Sequence, residues 1–287
     1  MAEREDFFVR FWGVRGSVAC GSPTTARYGG NTSSLEVRCG DRLLMLDAGT
    51  GLRYLGNSIA GDTKPLSAHI YLTHTHYDHV VGMPFFRPAF VPTNKFEVWA
   101  GHLAPLGENI LGVLQQHMTP PLFPVPLEIF QSDMTYNDFR AGETLQPYPD
   151  IELRTAPLNH PNGATAYRIN FQGKSICYLT DTEHYADRLD EKILELIDGA
   201  DIVIYDSTYT DEEYPTRVGW GHSTWPEGVK LCEEAGVGQF VVFHHDPDHD
   251  DDFMDGIAKQ VAERRPGSVV AVEGMVLRPG DLEPSKS

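Results

Sequence analysis

The strongest constraint in this sequence is a cluster of potential metal ligands that directly follows an apolar strand. Residues 73–79 read Thr-His-Thr-His-Tyr-Asp-His. His74 and His76 are two residues apart, so an extended backbone turns both side chains to the same side. Asp78 and His79 lie past the strand end, where a turning backbone directs them toward a neighbouring cation. The spacing predicts a strand end that holds two metal ions.

The rest of the chain repeats this pattern of short strands that end at polar residues. Strand-like runs are found at 7–13, 35–39, 43–47, 69–73, 166–171, 175–180, 202–207 and 239–243. Helical patterns alternate with the later strands at 189–197, 224–235 and 253–264. Thr224 and Glu227 form a capping-box pattern at the start of the second helix. This order predicts an α/β protein with at least one mixed sheet covered by helices.

The length of 287 residues allows one large domain or two small ones. No repeat or internal linker divides the chain, so we expect a single domain over residues 1–278 and a flexible tail at 279–287. Between residues 101 and 142 the strand and helix patterns weaken and prolines recur. This segment is interpreted either as an ordinary surface connection or as an insertion that forms a flap over a substrate.

Composition and charge exclude several classes of protein. Hydrophobic residues make up 41% and charged residues 22%, which argues against disorder and coiled coil. The 23 basic and 41 acidic residues give a net charge of −18, which repels extended nucleic acid and anionic membranes. Twelve histidines in an acidic chain favour divalent metals. Because the sequence shows no secretory signal, membrane-spanning run or paired-cysteine motif, we expect a cytoplasmic protein with four reduced thiols.

The HxHxDH motif at 74–79 resembles that of the metallo-β-lactamase-fold hydrolases. Members of that family usually supply a further histidine, a bridging aspartate and a last histidine at the ends of later strands, and His160, Asp181 and His244 occupy those places. The resemblance implies a four-layer αββα sandwich of two mixed sheets flanked by helices. It also implies two divalent cations, the first held by His74, His76 and His160, the second by Asp78, His79 and His244, with Asp181 as the bridge. Taken singly, His160 and His244 would each also fit an ordinary structural histidine.

Some further residues are candidates for supporting roles. Asp47 matches the aspartate that supports a ligand histidine in the family, but an aspartate that opens a glycine turn takes the same position. Arg15 and Asn31 lie in the motifs Phe-Trp-Gly-Val-Arg-Gly-Ser and Tyr-Gly-Gly-Asn-Thr-Ser-Ser, which also resemble the family; they either approach the substrate or hold loops. His245 and His249 belong to an acidic run that either binds an extra cation or forms a solvated loop.

Two later motifs resemble the phosphodiesterase branch, which includes cyclic-nucleotide phosphodiesterases and tRNA 3′-processing endonucleases. Tyr205-Asp206-Ser-Thr is followed by Gly221-His222-Ser-Thr. In that branch the histidine protonates the departing oxygen and the acid orients the histidine, so the resemblance implies His222, Asp206 and the metal ligand Asp78 as catalytic residues. The alternative is that His222 only begins a helix. The endonucleases usually carry glutamate where Asp206 stands, which weakens the match to that subgroup.

The leading interpretation is a dinuclear-metal phosphodiesterase that hydrolyses a small phosphodiester, foremost a cyclic nucleotide, by attack of a metal-bridging hydroxide. Charge favours this substrate over tRNA because no Lys/Arg-rich segment is present to hold a long polyanion. RNA 3′-end processing is the second interpretation, followed by a lactonase or thioesterase and by a non-catalytic nucleotide-binding protein. We expect zinc as the metal, with manganese or iron as alternatives. The resemblance also implies a homodimer.

Overall fold

The computed structural model describes residues 6–61 and 64–281 and the backbone of residues 285–286. The strands are β1 (Phe7–Gly13), β2 (Ser34–Cys39), β3 (Arg42–Leu46), β4 (Ser67–Leu72), β5 (Lys95–Ala100), β6 (Asp133–Asp138), β7 (Thr144–Tyr148), β8 (Ile151–Leu158), β9 (Ala164–Phe171), β10 (Lys174–Leu179), β11 (Ile202–Asp206), β12 (Gln239–Phe243), β13 (Val269–Val270), β14 (Met275–Leu277) and β15 (Ser285–Lys286). The helices are α1 (Gly51–Ile59), α2 (Tyr77–Val80), α3 (Ile110–His117), α4 (Glu191–Ile197), α5 (Trp225–Glu234) and α6 (Asp251–Arg264). Short 3-10 helices lie at Met83–Phe85, Arg87–Phe90, Ala104–Leu106, Leu127–Ile129 and Tyr214–Thr216.

The strands form two mixed sheets. The first has the order β15-β14-β1-β2-β3-β4-β5-β6, and its strands from β3 to β6 are parallel. The second has the order β13-β12-β11-β10-β9-β8-β7, and its strands from β10 to β13 are parallel. The remaining neighbours in both sheets are antiparallel, as the prediction of mixed sheets requires.

Three hydrophobic clusters separate four layers. The cluster between the two sheets contains Phe11 from β1 and Phe243 from β12, both fully buried. A second cluster joins the outer face of the second sheet to α4, α5 and α6, and a third joins the outer face of the first sheet to α1 and α3. All residues of β11 and β12 are therefore buried, as expected for strands covered on both faces. The predicted αββα sandwich is confirmed.

Several strands end at the same edge of the sandwich, and polar residues follow them there. Asp47 follows β3, and His74 lies two residues after β4. In the second sheet Asp181 lies two residues after β10, and His244 follows β12 directly. Because the carboxyl ends of parallel strands meet at one edge of a sheet, the two sheets bring these residues together.

The predicted strands agree with the structure to within one or two residues, but several elements were missed. The predictions omitted α1, β5 and β8. The segment 101–142 adds β6 to the first sheet, and α3 packs Ile110 and Leu114 into the core, so much of it belongs to the domain rather than to a flap. The predicted capping box is wrong, because the Thr224 hydroxyl donates to Asp211 Oδ1 at 2.7 Å and makes no bond to the start of α5.

The C-terminal residues pair with the first sheet where the structure describes them, and the four cysteines form no disulfide. Within the predicted tail, Ser285–Lys286 pair with Met275 and Val276 of β14, whereas residues 282–284 and 287 lie outside the described residues. Cys20, Cys39, Cys177 and Cys232 are all free thiols. Among the residues that the structure describes, no helix is long and apolar enough to cross a bilayer.

One glycine allows the helix that carries Asp78 and His79 to lie against the turn after β3. A Cβ atom on Gly82 would lie 2.0 Å from the carbonyl oxygen of Gly49, so Gly82→Ala forces the two backbones apart. We expect this change to lower the free energy of unfolding by about 1–3 kcal/mol in urea titrations. The control is Gly256→Ala in α6, where a Cβ meets no heavy atom within 4 Å and we expect a gain of about 0.5–1 kcal/mol. Equal effects of the two variants would contradict this explanation.

Candidate metal centre

The structure brings together all seven residues that the sequence proposed as metal ligands. They form two overlapping groups whose ligand atoms lie within 4.8 Å of one another. One group consists of His74, His76, His160 and Asp181, and the other consists of Asp78, His79, Asp181 and His244. The division into two sets with Asp181 in common is the one that the family resemblance implied.

Asp181 lies between the two sets and turns one carboxylate oxygen to each. Its Oδ2 is 3.4 Å from Nε2 of His74 and 3.6 Å from Nε2 of His160. Its Oδ1 is 3.2 Å from Nε2 of His79 and 3.0 Å from Nε2 of His244. A carboxylate in this position can give one oxygen to each of two cations.

Unpartnered histidine nitrogens show that the residues fit divalent metals. Nε2 of His74, His79 and His244 is buried in each case and has no hydrogen-bond partner. The Nδ1 atoms of these rings face hydrogen-bond acceptors, so with the ring proton on Nδ1 each Nε2 would offer its lone pair to a cation. A buried polar atom without a partner is costly, and a cation at this place would remove that cost.

Asp47 supports the histidines of the first sheet. Its Oδ2 accepts from Nδ1 of His79 at 2.8 Å. The hydroxyl of Thr73 donates to the same carboxylate and lies 3.1 Å from Nδ1 of His74, so it accepts from that ring. The Tyr178 hydroxyl, from the second sheet, also donates to Oδ2 at 2.8 Å. Asp47 thus lies where the sequence placed the supporting aspartate, and it holds one histidine directly and another through a threonine.

Asp206 repeats this arrangement in the second sheet. Its Oδ2 accepts from Nδ1 of His222 at 2.8 Å. The Thr208 hydroxyl donates to Oδ1 at 2.7 Å and accepts from Nδ1 of His244, 3.0 Å away. Asp206 is completely buried, so the predicted pair of Asp206 and His222 is joined to the metal-ligand set through one threonine.

The charges of the cluster favour bound cations. Burial alone would lower the pKa of His79, but the carboxylates of Asp181, Asp78 and Asp47 raise it well above its usual value. Burial would likewise raise the pKa of Asp181, but the neighbouring histidines hold it well below the usual range of an aspartate. The carboxylates therefore keep their negative charge, and the centre stabilises positive charge.

Three residues of the centre have a backbone conformation that side chains rarely adopt. Asp47, Asp181 and His244 have φ values of 60°, 61° and 64°. Each follows a strand end within two residues, where the left-handed conformation turns the side chain back across the edge of the sheet. Such strain persists where the surrounding structure enforces it, and here hydrogen bonds and packing hold all three residues.

A cavity of about 360 Å³ opens onto the metal-ligand cluster. It is lined by Ser17, Thr75, His76, Tyr77, Asp78, Asp181 and His222. The sequence predictions missed Ser17, Thr75 and Tyr77 as lining residues. Thr75 and Tyr77 alternate with the ligands in the motif and could have been found from that spacing. Ser17 closes the motif Phe-Trp-Gly-Val-Arg-Gly-Ser, in which only Arg15 was considered, and its backbone N–H donates to Asp78 Oδ2 at 2.7 Å.

Arg15 and Asn31 are held by other parts of the chain and do not line this cavity. The guanidinium of Arg15 is fully buried and donates to the backbone carbonyls of Gly29, Asp246 and His249. Asn31 Nδ2 donates to Glu273 at 3.0 Å. These contacts favour loop support, the second of the two roles considered for them.

The histidines of the acidic run also have protein partners. His245 is buried and donates from Nε2 to the carbonyl of Ala271 at 2.8 Å. His249 Nε2 lies 2.8 Å from Glu213 Oε1, and its ring stacks on Phe253 at 3.9 Å between centroids. Neither histidine belongs to a group of potential metal ligands in the described part of the chain.

Comparison with known proteins agrees with this geometry. The family model described as beta-lactamase superfamily domain matches residues 42–245, more than two thirds of the chain. A ribonuclease Z of Haloarcula marismortui is 24% identical over 288 residues, which cover 82% of this chain and 85% of the relative.

Two solved structures have a similar fold. The metallo-beta-lactamase fold protein YhfI of Bacillus subtilis superposes with a TM-score of 0.71 at 19% identity and covers 95% of this chain and 99% of its own. A diphosphatase of the PhnP family has a TM-score of 0.69 at 18% identity and covers 98% of this chain and 100% of its own. The chain therefore belongs to the beta-lactamase superfamily and has the metallo-β-lactamase fold of the metal-dependent hydrolases.

Proposed function

We propose that this hydrolase is a phosphodiesterase in which His222 donates a proton to the departing oxygen. The observation that carries the proposal is the pair formed by His222 and Asp206 at the wall of the metal cavity. His222 lines the cavity together with Asp78 and Asp181, and its Nδ1 is bound by Asp206 at 2.8 Å. Its Nε2 has no hydrogen-bond partner among the described residues, so this atom is free to reach a substrate.

The charge of Asp206 suits His222 to the role of general acid. Burial alone would lower the pKa of the imidazole, but the charge and hydrogen bond of Asp206 raise it to about 9. The carboxylate of Asp206 thus favours the imidazolium form, in which Nε2 carries the second proton. An alkoxide leaves a phosphodiester slowly unless it receives a proton, and this ring is placed to supply it.

The ligand set would hold two divalent cations. His74, His76 and His160 would hold one, Asp78, His79 and His244 the other, and Asp181 would contact both. When bound, such cations supply Lewis-acid polarisation of the phosphoryl group and an activated water. Zinc fits the histidine and carboxylate donors, with manganese or iron as alternatives. The homodimer expected from the family resemblance stays a prediction, which sedimentation analysis would test.

A small phosphodiester, foremost a cyclic nucleotide, is the substrate class that we favour. The net charge of −18 opposes the approach of a long polyanion, whereas a small anion responds mainly to the local field of the metal centre. The cavity of about 360 Å³ is at the small end of the range for ligand sites.

RNA 3′-end processing is the second candidate, and one specific observation favours it. The relative named ribonuclease Z matches over most of both chains, which weighs against our expectation that extended nucleic acid is not a partner. The lactonase and thioesterase alternatives are less favoured, because in those reactions His222 and Asp206 would not protonate a leaving alkoxide in the same way. A non-catalytic nucleotide-binding protein would not need all seven ligand side chains assembled here.

The first prediction concerns metal content. After reconstitution with Zn²⁺ or Mn²⁺, we expect elemental analysis to find two ions per chain. Asp181→Ala should bind one ion or fewer and lose activity, because two cations would repel each other without the carboxylate between them. The exposed Asp187 offers the control Asp187→Ala, which should keep both ions. A wild-type protein that never holds more than one ion would contradict the two-metal assignment.

The second prediction separates the roles that His222 can have. His222→Ala should slow hydrolysis of a cyclic nucleotide by about 10²- to 10⁴-fold, because the ribose alkoxide needs a proton. It should slow a bis-nitrophenyl phosphodiester much less, because nitrophenolate leaves without one. Asp206→Asn should show the same dependence on the substrate with a smaller amplitude.

Metal analysis of the same variants provides the control. Asp181, Asp206, His222 and His244 form a third group of potential ligands, so loss of metal in His222→Ala would make His222 a ligand instead. Equal loss of rate on both substrates with the metal retained would make it a phosphate-binding residue. Either result would refute the role of general acid.

The third prediction distinguishes the two substrate classes. We expect the metal-loaded protein to hydrolyse at least one member of a panel of cyclic mononucleotides and cyclic dinucleotides. Binding of a tRNA precursor should be weak at physiological ionic strength, because the acidic surface repels it. Gel-shift and cleavage assays provide the measurement. Submicromolar affinity together with removal of the 3′ trailer would establish RNA processing in its place.

A further inference from the structure

Glu183 joins three segments that carry residues of the centre. It lies two residues after Asp181. Its backbone N–H donates to the carbonyl of Asn159 at 2.8 Å, and Asn159 Nδ2 donates to the carbonyl of Glu183 at 2.9 Å. Asn159 directly precedes His160. The main chain of Glu183 is thus tied to the segment that ends in a metal-ligand histidine.

The side chain of Glu183 holds the loop that leads to His222. Its carboxylate accepts from the Tyr214 hydroxyl at 2.9 Å and from the backbone N–H of Gly219 at 2.8 and 2.9 Å. It also accepts from the backbone N–H of Gly221 at 2.9 Å. Three donors of one loop therefore converge on a single carboxylate, and bonds of this charge-assisted kind are stronger than those between neutral groups.

The loop depends on these hydrogen bonds because its glycines are flexible and its side chains add little packing. Gly219 and Gly221 have φ values of 88° and 85°. Val218, which precedes Gly219, and Trp220, which lies between the two glycines, are exposed. Glycines lose the most conformational freedom on folding, and exposed side chains add little packing. Without Glu183, the Trp220 N–H would keep its bond to the Arg217 carbonyl and the Gly221 carbonyl its bond to His160, but the N–H groups of Gly219 and Gly221 would lose their acceptor.

Gly221 connects Glu183 to two histidines of the centre, His160 and His222. Its N–H is bound by Glu183, its carbonyl accepts from Nδ1 of His160 at 2.8 Å, and His222 is the next residue. A Cβ on Gly221 would lie 2.3 Å from Nδ1 of His160, so the loop backbone lies directly against that ring. Movement of this peptide would displace the proton donor.

We propose that Glu183 is the positioning residue for His222: its carboxylate fixes the 214–221 loop so that Nε2 of His222 faces the departing oxygen. This inference rests on the proposed function of His222 as a general acid. Glu183 does not line the cavity, so its carboxylate reaches His222 through the loop. Misplacement of a catalytic group by about 1 Å can cost about 10²-fold in rate, which sets the size of the expected effect.

The test compares Glu183→Gln with Glu212→Gln in the metal-loaded protein. Glutamine keeps the size of the side chain but offers one oxygen in place of two and turns an N–H₂ group toward the glycine N–H groups. Glu212 is an exposed acid near the same loop that makes no hydrogen bond in the described structure, so its variant matches the change in charge.

The first measurement does not depend on any substrate. We expect amide hydrogen exchange at Gly219 and Gly221 to become at least about tenfold faster in Glu183→Gln and to stay unchanged in Glu212→Gln. Unchanged exchange at both glycines in Glu183→Gln would overturn the proposal. If the wild-type protein hydrolyses no phosphodiester, the proposed function is wrong, and Glu183 does not position a proton donor. The exchange measurement still shows whether Glu183 holds the loop, so the two failures can be told apart.

The second measurement separates positioning from general support of the fold. With two metal ions retained, Glu183→Gln should lower kcat for a cyclic nucleotide by about 10- to 100-fold and change hydrolysis of a bis-nitrophenyl phosphodiester less than about threefold. Tyr214→Phe, which removes one of the carboxylate's partners and leaves both glycine bonds, should have a smaller effect in the same direction. Equal losses on the two substrates, or loss of metal, would show that Glu183 supports the centre as a whole and would refute the proposal.

Discussion

The carboxylate of Asp181 is the group on which the arrangement of the centre depends. It is almost fully buried, and a buried charge is stable only when opposite charges or donors surround it. Four histidine nitrogens face its two oxygens at 3.0 to 3.6 Å. These histidines come from both sheets, so the two sheets cannot shift relative to each other without exposing the charge or separating its partners.

The fold provides this arrangement by ending strands of both sheets at one edge. Asp47 and Asp206, each at a strand end of a different sheet, then fix the orientation of the imidazole rings by accepting from their Nδ1 atoms. The hydroxyl of Tyr178 crosses between the sheets to Asp47 and links the support of one sheet to the core of the other. Hydrogen bonds from both sheets therefore hold the candidate metal ligands, whereas the N–H groups of the loop before His222 are held by Glu183.

Much of the centre was predictable because its residues follow strands directly. The strand before residue 73 and the strand 239–243 are short and apolar, so the histidines that follow them could be predicted to form a metal site. The strands β5 and β8 were missed, although in Lys95–Ala100 every second side chain is buried and those between are exposed or half-buried. The order of strands in the sheets has no signal in a single sequence.

The supporting contacts were harder to predict than the ligands. Thr73 and Thr208 lie in or next to the sequence motifs that carry the histidines and Asp206, but a threonine there is equally an ordinary strand or turn residue. Its supporting role depends on distances between separate segments, which the sequence does not contain. The same is true of Glu183, because the partners of its carboxylate lie 31 to 38 residues further along the chain. For Arg15 and Asn31 the sequence left substrate contact and loop support open, and only the hydrogen bonds of the folded chain favour loop support.

The arrangement around Asp206 limits how this enzyme can diverge. One carboxylate orients His222 directly and His244 through Thr208, so the proposed proton donor and a proposed metal ligand share a single support. With these proposed roles, a substitution at position 206 would alter leaving-group protonation and metal affinity together. A lineage that adapts to a new leaving group has more freedom in the loop before His222, where a change can move the proton donor and leave His244 in place.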